Sequence, residues 1–418
     1  MTTAMHPPAP AWAGHAPGST GYRRIMAALA CAGVATFAQL YSLQGVLPLL
    51  AADLRVTAAQ ASLAVSAATI GLALAVVPWS FAGDRLGRVR AMGLAIVLAT
   101  VAGLAVPAAP SFEVLIALRL AEGAALGGIP ALAIAYLGEE VSARHATAAA
   151  GAYVAGTSLG GLSGRLLAGP VADVAGWRAA TLTVSSAAAL AAVAFLLLAP
   201  AVRGFAPVRG GGLGTVLARL APQLRSRPLA GLYIQAFSLM GAFVSVYNYL
   251  GFRLAAPPYL MPAGAVGLLF LAYLSGTVSS RASAALAAAV GRRAALLGST
   301  GAMLAGLAIT LDGRVPVILA GLVLFTAGFF GAHAIASGWT GAIAVDGGRA
   351  QAASLYNLSY YAGSSVLGWA MGLLFQSLGW PALVAALSAV LVAAATAALL
   401  LLPVRRPTQG RTADPRLA

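Results

Sequence analysis

A pair of opposite charges lies inside an otherwise uncharged apolar stretch of this sequence. Arg119 and Glu122 stand three residues apart in the run RLAEGAALGG, a spacing that puts both side chains on one helix face. An ionised side chain at the centre of a bilayer costs at least about 3 kcal/mol, so the two charges are expected to neutralise each other. Two interpretations stay open: a structural pair that fixes helix packing, or a site facing a central cavity. Glu122 is the first candidate for carrying a proton.

Two further ionisable residues lie in apolar stretches. Arg165 falls in the outer half of a predicted helix, where it either extends toward water or contacts an anionic substrate. His333, within FFGAHAIASGWTGA, is either a packing residue or a titrating group, because imidazole titrates near neutral pH. The proton-coupling candidates are therefore Arg119, Glu122 and His333.

Amide and tyrosine side chains recur at places where a bilayer would not solvate them. Asparagine and glutamine need hydrogen-bond partners in a membrane, so they are expected to face the protein interior. Each alone is explained by a bond between helices, but as a set they predict a moderately polar cavity with aromatic walls. With Arg165, the cavity candidates are Tyr41, Gln44, Tyr247, Asn248, Asn357, Tyr360 and Tyr361.

The elements that must position these residues are membrane helices. The 418 residues are 60% hydrophobic and 8% charged, with a mean hydropathy of +0.89, whereas soluble proteins carry about 25% charged residues. Twelve stretches are long enough to span a bilayer, namely 25–50, 60–82, 91–109, 113–137, 148–171, 179–201, 229–254, 263–281, 293–311, 315–338, 352–376 and 380–402. The predicted organisation is a disordered tail (1–21), a six-helix bundle (22–201), a cytoplasmic linker (202–228), a second six-helix bundle (229–402) and a tail (403–418).

The arginines set the predicted orientation. All 25 basic residues are arginine; 19 fall on the face that holds both termini and 4 on the opposite face. The positive-inside rule therefore predicts that both termini are cytoplasmic, and it accounts for the net charge of +15 without a nucleic-acid partner.

Several kinds of chemistry have no motif here. The sequence contains one cysteine and four scattered histidines, which predicts neither a disulfide nor a metal site. No phosphate-binding loop or hydrolase motif is present, so we expect no cofactor, no enzymatic activity and no ATP-driven transport by this chain.

The two halves repeat weakly. Gly87-Arg88 is matched by Gly291-Arg292, and Gly176-Trp177 by Gly379-Trp380, at sequence offsets of 204 and 203. The tyrosine-containing segments that begin at Tyr41 and Tyr247, and at Tyr153 and Tyr360, give offsets of 206 and 207. Matches at a nearly constant offset predict a duplicated six-helix unit.

Four segments together resemble the major facilitator superfamily, in particular its drug:proton antiporters of the arabinose-efflux-permease type. They are the run ATFAQLYSLQGVLPLLAADL at 35–54, the D-R-x-G-R loop at 84–88, the RLAEGAALGG run and the segment GTSLGGLSGR at 156–165. The resemblance implies an all-α membrane protein of twelve transmembrane helices in two pseudo-symmetric six-helix bundles. It also implies a monomer of the bacterial inner membrane that exports a small organic molecule in exchange for protons. An importer of the same architecture and a non-transporting sensor are the alternatives.

The resemblance also assigns roles to one loop and one glycine stripe. Asp84, Arg85, Gly87 and Arg88 form the predicted inner-gate loop, in which Asp84 contacts the start of the eleventh span near residue 352 when the inner face is closed. The alternative is that Asp84 caps the helix that follows it. Gly156, Gly160 and Gly164, spaced by four, form a stripe that allows close helix packing in the fifth span.

Overall fold

The computed structural model describes residues 12, 14–142, 144–200, 202–205 and 213–404. Apart from one isolated bridge between His15 and Val141, the regular structure of these residues is helical. The helices are α1 (Thr20–Leu40), α2 (Leu47–Leu54), α3 (Ala58–Leu86), α4 (Arg88–Ala105), α5 (Phe112–Leu126), α6 (Gly128–Glu140), α7 (Ala146–Leu198), α8 (Leu213–Arg225), α9 (Arg227–Ala255), α10 (Ala263–Gly267), α11 (Tyr273–Val290), α12 (Arg292–Ile309), α13 (Val315–Ala342) and α14 (Arg349–Leu401).

The described helices account for the twelve predicted spans. Among the described residues, nine apolar helical segments, some of them made of two consecutive helices, are long enough to cross a membrane. Two of them, α7 and α14, have 53 residues each and are interrupted by non-helical glycines, Gly176 and Gly379, so each supplies two spans. The 18-residue helix α12 supplies the remaining one. The predicted all-helical membrane fold is confirmed.

The backbone repeats between the halves as the sequence predicts. Gly87 (φ 86°, ψ 150°) and Gly291 (φ 88°, ψ 149°) have the same conformation, and each precedes an 18-residue helix. Only glycine adopts this positive-φ geometry without strain, which explains why the residue occurs in both halves. Gly176 and Gly379 likewise share a positive φ, of 80° and 76°.

Each half has its own hydrophobic core. One buried cluster runs from Ile25 to Phe195 and another from Leu229 to Leu402. We call helices α1–α7 the N-terminal bundle and helices α9–α14 the C-terminal bundle. The first span differs from its counterpart, because α1 ends at Leu40 and the chain makes a turn before α2, whereas α9 is continuous.

The bundles touch each other near one end, which we call the outer end: the end at which α2 meets α3 and α9 meets α10. There Ser62 Oγ donates to Gly368 O (3.3 Å), and the hydroxyls of Thr69 and Ser365 lie 3.0 Å apart. The Asp173 carboxylate accepts the backbone N–H groups of Ala263 and Gly264 at 2.7 and 2.8 Å. With the predicted orientation of the termini, these contacts close the periplasmic side.

The linker and tails are only partly described. Residues 1–11 and 13 of the predicted N-terminal tail, 206–212 of the linker and 405–418 of the C-terminal tail lie outside the described residues. From Gly14 onward the tail contacts the N-terminal bundle, where His15 N donates to Glu140 O at 2.7 Å. Within the linker, α8 docks on the C-terminal bundle through Gln223, whose amide bonds both the N–H (3.0 Å) and the C=O (2.8 Å) of Val345.

Candidate functional site

The Arg119–Glu122 pair is sealed inside the N-terminal bundle. Arg119 Nη1 lies 2.6 Å from Glu122 Oε2, and the side chains are 0% and 1% exposed. The guanidinium also donates to three backbone carbonyls, those of Ala64, Gln39 and Leu40. Gln39 donates its amide N–H groups to Glu122 Oε1 (3.1 Å) and Ala99 O (3.0 Å). The charges are therefore neutralised and hydrogen-bonded, as burial of an ion pair requires.

Arg119 binds the broken end of the first span. The last carbonyls of an α-helix have no partner within the helix, and Gln39 and Leu40 are the last two residues of α1. Leu40 O accepts from the guanidinium, and Gln39 O accepts from it in addition to the backbone N–H of Ser42 (3.1 Å), so the break in the helix costs less free energy. Beyond the break, the turn carries Tyr41 and Gln44, which are 7% and 3% exposed.

This placement separates the pair from the space between the bundles. The hydrogen-bond partners of Arg119 and Glu122 come from α1, α3 and α5, all within one bundle. The pair does not line a cavity surface in this conformation, in contrast to the interpretation that placed it there. Packing explains the difference: α4 brings Gly103 so close that an added Cβ would lie 2.8 Å from Glu122 Oε1.

Arg165 lies between the two bundles. Its side chain is 3% exposed and reaches back along α7, where Nη1 donates to Gly161 O at 2.6 Å, so it does not extend to water. Its Nε donates to Gln44 Oε1 at 2.8 Å. The guanidinium carbon lies 4.1 Å from the ring centre of Tyr41, 4.9 Å from that of Phe270 and 5.1 Å from that of Tyr273. These rings belong to both bundles.

Gln44 joins the two bundles at the same place. Its Nε2 donates to Asn248 Oδ1 at 2.8 Å, and Asn248 is 1% exposed on α9. A continuous hydrogen-bonded row thus runs from Arg165 through Gln44 to Asn248, as polar side chains in a membrane require. We call Tyr41, Gln44, Arg165, Asn248, Phe270 and Tyr273 the inter-bundle cluster.

An aromatic wall continues from this cluster into the C-terminal bundle. Tyr247 stacks on Phe270 with ring centres 5.1 Å apart, and its hydroxyl lies 2.7 Å from Thr326 Oγ1. His333 Nδ1 lies 3.0 Å from the hydroxyl of Tyr356. Tyr360 packs against the imidazole at 5.0 Å and against Tyr361 at 5.3 Å.

The predicted cavity residues are thus only partly brought together. Tyr41, Gln44, Tyr247, Asn248 and Arg165 converge, while His333, Tyr360 and Tyr361 form a neighbouring group through α13 and α14. Asn357 is exposed and forms no side-chain hydrogen bond with the described residues.

The inner-gate loop contains an ion network. Arg88, 8% exposed, bonds Asp84 Oδ1 (2.7 Å) and Glu139 Oε1 (2.9 Å), while Arg85 is exposed. Helix α4 starts at Arg88, and its N-cap Gly87 receives no side-chain cap, so the alternative that Asp84 caps this helix is wrong here. Its carboxylate is held by Arg88 one turn later. The predicted contact with the start of α14 is not formed in this conformation, in which the bundles meet at the outer end.

The glycine stripe of the fifth span packs α7 against α1. A Cβ added at Gly156 would lie 2.7 Å from Ala30 O, and one at Gly160 would lie 2.5 Å from Val34 O. Gly164 faces Ala38 in the same way, at 2.9 Å. Further along α7, Gly169 faces the other bundle instead, and a Cβ added there would lie 2.6 Å from Ala263 O.

Sequence reasoning missed four residues. Gln39 is an amide in an apolar helix, so the rule that selected Gln44 would also have selected it. Phe270 and Tyr273 sit in the run GLLFLAYL, which carries no signal beyond apolarity. Asp173 is an exposed carboxylate whose role appears only when α7 and α10 are brought together. Among the described residues, no group of histidine, cysteine and acidic side chains could hold a metal ion.

Comparison with known proteins agrees with this architecture. A family model described as the Major Facilitator Superfamily matches residues 29–289. The chain is 37% identical to the inner membrane transport protein YnfM of Escherichia coli strain K12 over 377 residues, which is 90% of each chain. It is 34% identical to the MFS-type transporter YybF of Bacillus subtilis strain 168, covering 90% of this chain and 93% of the relative.

Solved structures share the fold. A mutant of the nucleoside transporter NupG superposes with a TM-score of 0.76 at 13% identity, covering 91% of this chain and all of that one. A bacterial homologue of the human lysosomal transporter Spinster, in an inward-facing and occupied conformation, gives 0.74 at 15% identity, covering 92% and 97%. The twelve spans, the family match and the two relatives establish that this chain is a membrane transporter of the major facilitator superfamily.

Proposed function

We propose that the protein is a proton-coupled exporter of a small organic molecule that works by alternating access. The observation that carries the proposal is the position of Glu122. It binds Arg119, which holds the broken end of α1, and the turn after that break carries Gln44 of the inter-bundle cluster. A proton on Glu122 and a substrate at Gln44 therefore act on the same backbone turn.

Protonation of Glu122 would remove the negative charge that balances Arg119. The guanidinium would then redistribute its hydrogen bonds among the carbonyls of Gln39, Leu40 and Ala64. Because the turn of the first span depends on these bonds, its position relative to Asn248 would change. This supplies the differential interaction that proton coupling needs.

The proposed direction and orientation come from other features. The glycine-rich fifth span resembles that of exporters of the superfamily, and Gly169 lies where the bundles meet. The 19-to-4 arginine bias supports cytoplasmic termini in a bacterial inner membrane. Reporter fusions after Arg219 and at the C-terminus test the orientation, and a periplasmic signal from either would refute it.

Coupling can be tested without a known substrate. Ala59, 1% exposed where the bundles meet, is replaced by cysteine in a Cys31→Ser background, and its maleimide labelling rate is measured from about pH 5 to pH 8. Rates are normalised to unfolded protein at each pH, which removes the titration of the thiol itself. We expect a pH-dependent rate that becomes flat with Glu122→Gln. An unchanged pH dependence in that variant would exclude Glu122 as the proton carrier.

Direction is tested by comparing the small-molecule contents of cells and medium. Cells producing the wild-type protein should enrich at least one metabolite in the medium and deplete it inside, relative to cells producing Glu122→Gln in equal amount. Enrichment inside the cells would identify an importer. The absence of any difference would refute proton-coupled transport through Glu122.

A further inference from the structure

Arg165 is a buried cation that has no carboxylate partner among the described residues. Within the described part of the chain, none of the ion pairs involves Arg165, although its side chain is 3% exposed. Two of its five N–H donors bond to Gln44 and Gly161, and Nη2 donates to no described residue. Burying an ionised group in a membrane protein is costly unless an opposite charge accompanies it.

The rings around Arg165 compensate only part of that cost. Tyr41, Phe270 and Tyr273 surround the guanidinium at 4.1 to 5.1 Å, and such cation–π contacts attract the charge without neutralising it. The rings cannot accept the remaining N–H groups in hydrogen bonds of normal strength. The guanidinium is therefore held in place but not neutralised.

A second unpaired donor lies in the same row. Asn248 Nδ2 is buried without a hydrogen-bond partner in the described structure, while its Oδ1 accepts from Gln44. The unpaired groups at the two ends of this row, on Arg165 and on Asn248, are thus N–H donors. A ligand that satisfies them must present acceptor oxygens, and one negative charge would balance the single guanidinium.

The surroundings favour an organic ion over a hydrated inorganic one. The aromatic wall extends from Phe270 through Tyr247 to Phe243, whose ring centre lies 4.8 Å from that of Tyr247 and 3.9 Å from that of Phe329. Flat apolar surfaces of this kind bury a hydrocarbon or aromatic body favourably, whereas they offer nothing to a hydration shell.

We infer that the inter-bundle cluster binds a small organic monoanion, whose acidic group meets Arg165 and Asn248 and whose apolar body packs on the aromatic wall. This inference rests on the proposed transport function and names its substrate class. The ligand bridges the two bundles, since Arg165 belongs to α7 and Asn248 to α9. Its binding energy is therefore available to the conformational change that separates them.

The test is equilibrium binding to the full-length protein in detergent, read as a ligand-dependent rise of the thermal unfolding temperature. The probes share one body and differ in charge: naphthoate, neutral naphthamide and cationic naphthylmethylammonium. Aliphatic carboxylates, aromatic sulfonates and inorganic sulfate complete the panel. We expect at least one organic anion to stabilise the protein, and its amide and amine analogues to leave it unchanged.

Arg165→Gln should weaken binding of that anion at least about 30-fold, which corresponds to roughly 2 kcal/mol, and Arg165→Lys should weaken it less. Undiminished binding to Arg165→Gln would overturn the inference. So would equal binding of the amide or amine, stabilisation by sulfate alone, or no stabilisation by any anion of the panel.

Gln44→Glu keeps the inference testable if the arginine variants fail to fold. It places a carboxylate where Gln44 Oε1 now lies, 2.8 Å from Arg165 Nε, and so supplies the missing charge internally. We expect a higher unfolding temperature without ligand and loss of the anion-dependent rise. Gln376→Glu, which adds the same charge at an exposed site, should keep that rise. Anion binding that survives Gln44→Glu would contradict the assignment.

These measurements use no proton gradient. A failure here would leave the pH-dependent labelling at residue 59 and the proposed coupling intact. A failure of coupling would likewise leave a measured anion site unaffected.

Discussion

Two arginines lie in the membrane interior of this protein, and their surroundings differ. Arg119 has a carboxylate at 2.6 Å and three backbone carbonyls as acceptors. Arg165 has one carbonyl, one amide oxygen and three aromatic rings. Both side chains are at most 3% exposed. Burial alone therefore does not distinguish a buried arginine whose hydrogen bonds and charge are satisfied from one that could bind a ligand. The number of acceptors around the guanidinium does distinguish them.

The two sites also differ in how they respond to motion. All partners of Arg119 belong to the N-terminal bundle, so its surroundings persist when the bundles move as rigid bodies. The partners of Arg165 come from both bundles, so its surroundings must change. The proposed proton site inside one bundle and the proposed substrate site between the two are connected by the six residues from Tyr41 to Val46, which interrupt the first span.

The largest difference in stability between the two arginine sites is expected when each guanidinium is removed. Arg119→Gln leaves the carboxylate of Glu122 buried without a cation and should lower the free energy of unfolding by about 3–5 kcal/mol. Arg165→Gln removes a charge that has no counter-ion, and its loss of hydrogen bonds should cost less than about 1 kcal/mol. Thermal unfolding and the yield of monodisperse protein in detergent measure both effects. Equal destabilisation by the two substitutions would show that the charge of Arg165 is already compensated within the protein, as that of Arg119 is.

Adding one methyl group beside each arginine site should give a smaller difference. A Cβ at Gly103 would lie 2.6 Å from the side-chain amide nitrogen of Gln39 and 2.8 Å from Glu122 Oε1, inside a buried hydrogen-bonded network. Gly103→Ala should therefore destabilise the protein by about 1–3 kcal/mol. A Cβ at Gly161 would lie 3.2 Å from Arg165 Nη1, the end of a flexible side chain. Gly161→Ala should be close to neutral in the same unfolding assay, and a large loss would show that Arg165 is rigidly fixed.

The smallest effect is expected at the outer end. Asp173→Asn removes the charge that holds the N–H groups of Ala263 and Gly264, and the contact is exposed, so we expect about 1 kcal/mol, or roughly fivefold in population. A cysteine at Ala59, between the bundles, should then react about fivefold faster with maleimide. A cysteine at Ala99, buried inside the N-terminal bundle beside Gln39, should not change. Faster labelling at both positions would indicate loosening of the bundle rather than separation of the two.

Much of the fold could be predicted from the sequence because a bilayer permits few backbone conformations. Backbone groups must be satisfied within each helix, so apolar runs of about 20 residues read directly as spans. The paired glycines at 87 and 291 adopt one conformation, as a duplicated unit requires. The Arg119–Glu122 contact also followed from spacing alone, since residues three apart on a helix are neighbours.

What the sequence determined by itself was thus local: the spans, the repeat and the pairing of charges on one helix. The contacts between helices could not be predicted in this way, because they depend on which helices meet in the tertiary structure. The chain order does not reveal that Arg119 caps α1, that Arg165 meets Phe270 and Tyr273 from the other bundle, or that Arg88 meets Glu139 of α6. The contact of Gln44 with Asn248, which stand more than 100 positions apart, arises from packing of the two bundles and has no counterpart in any local pattern.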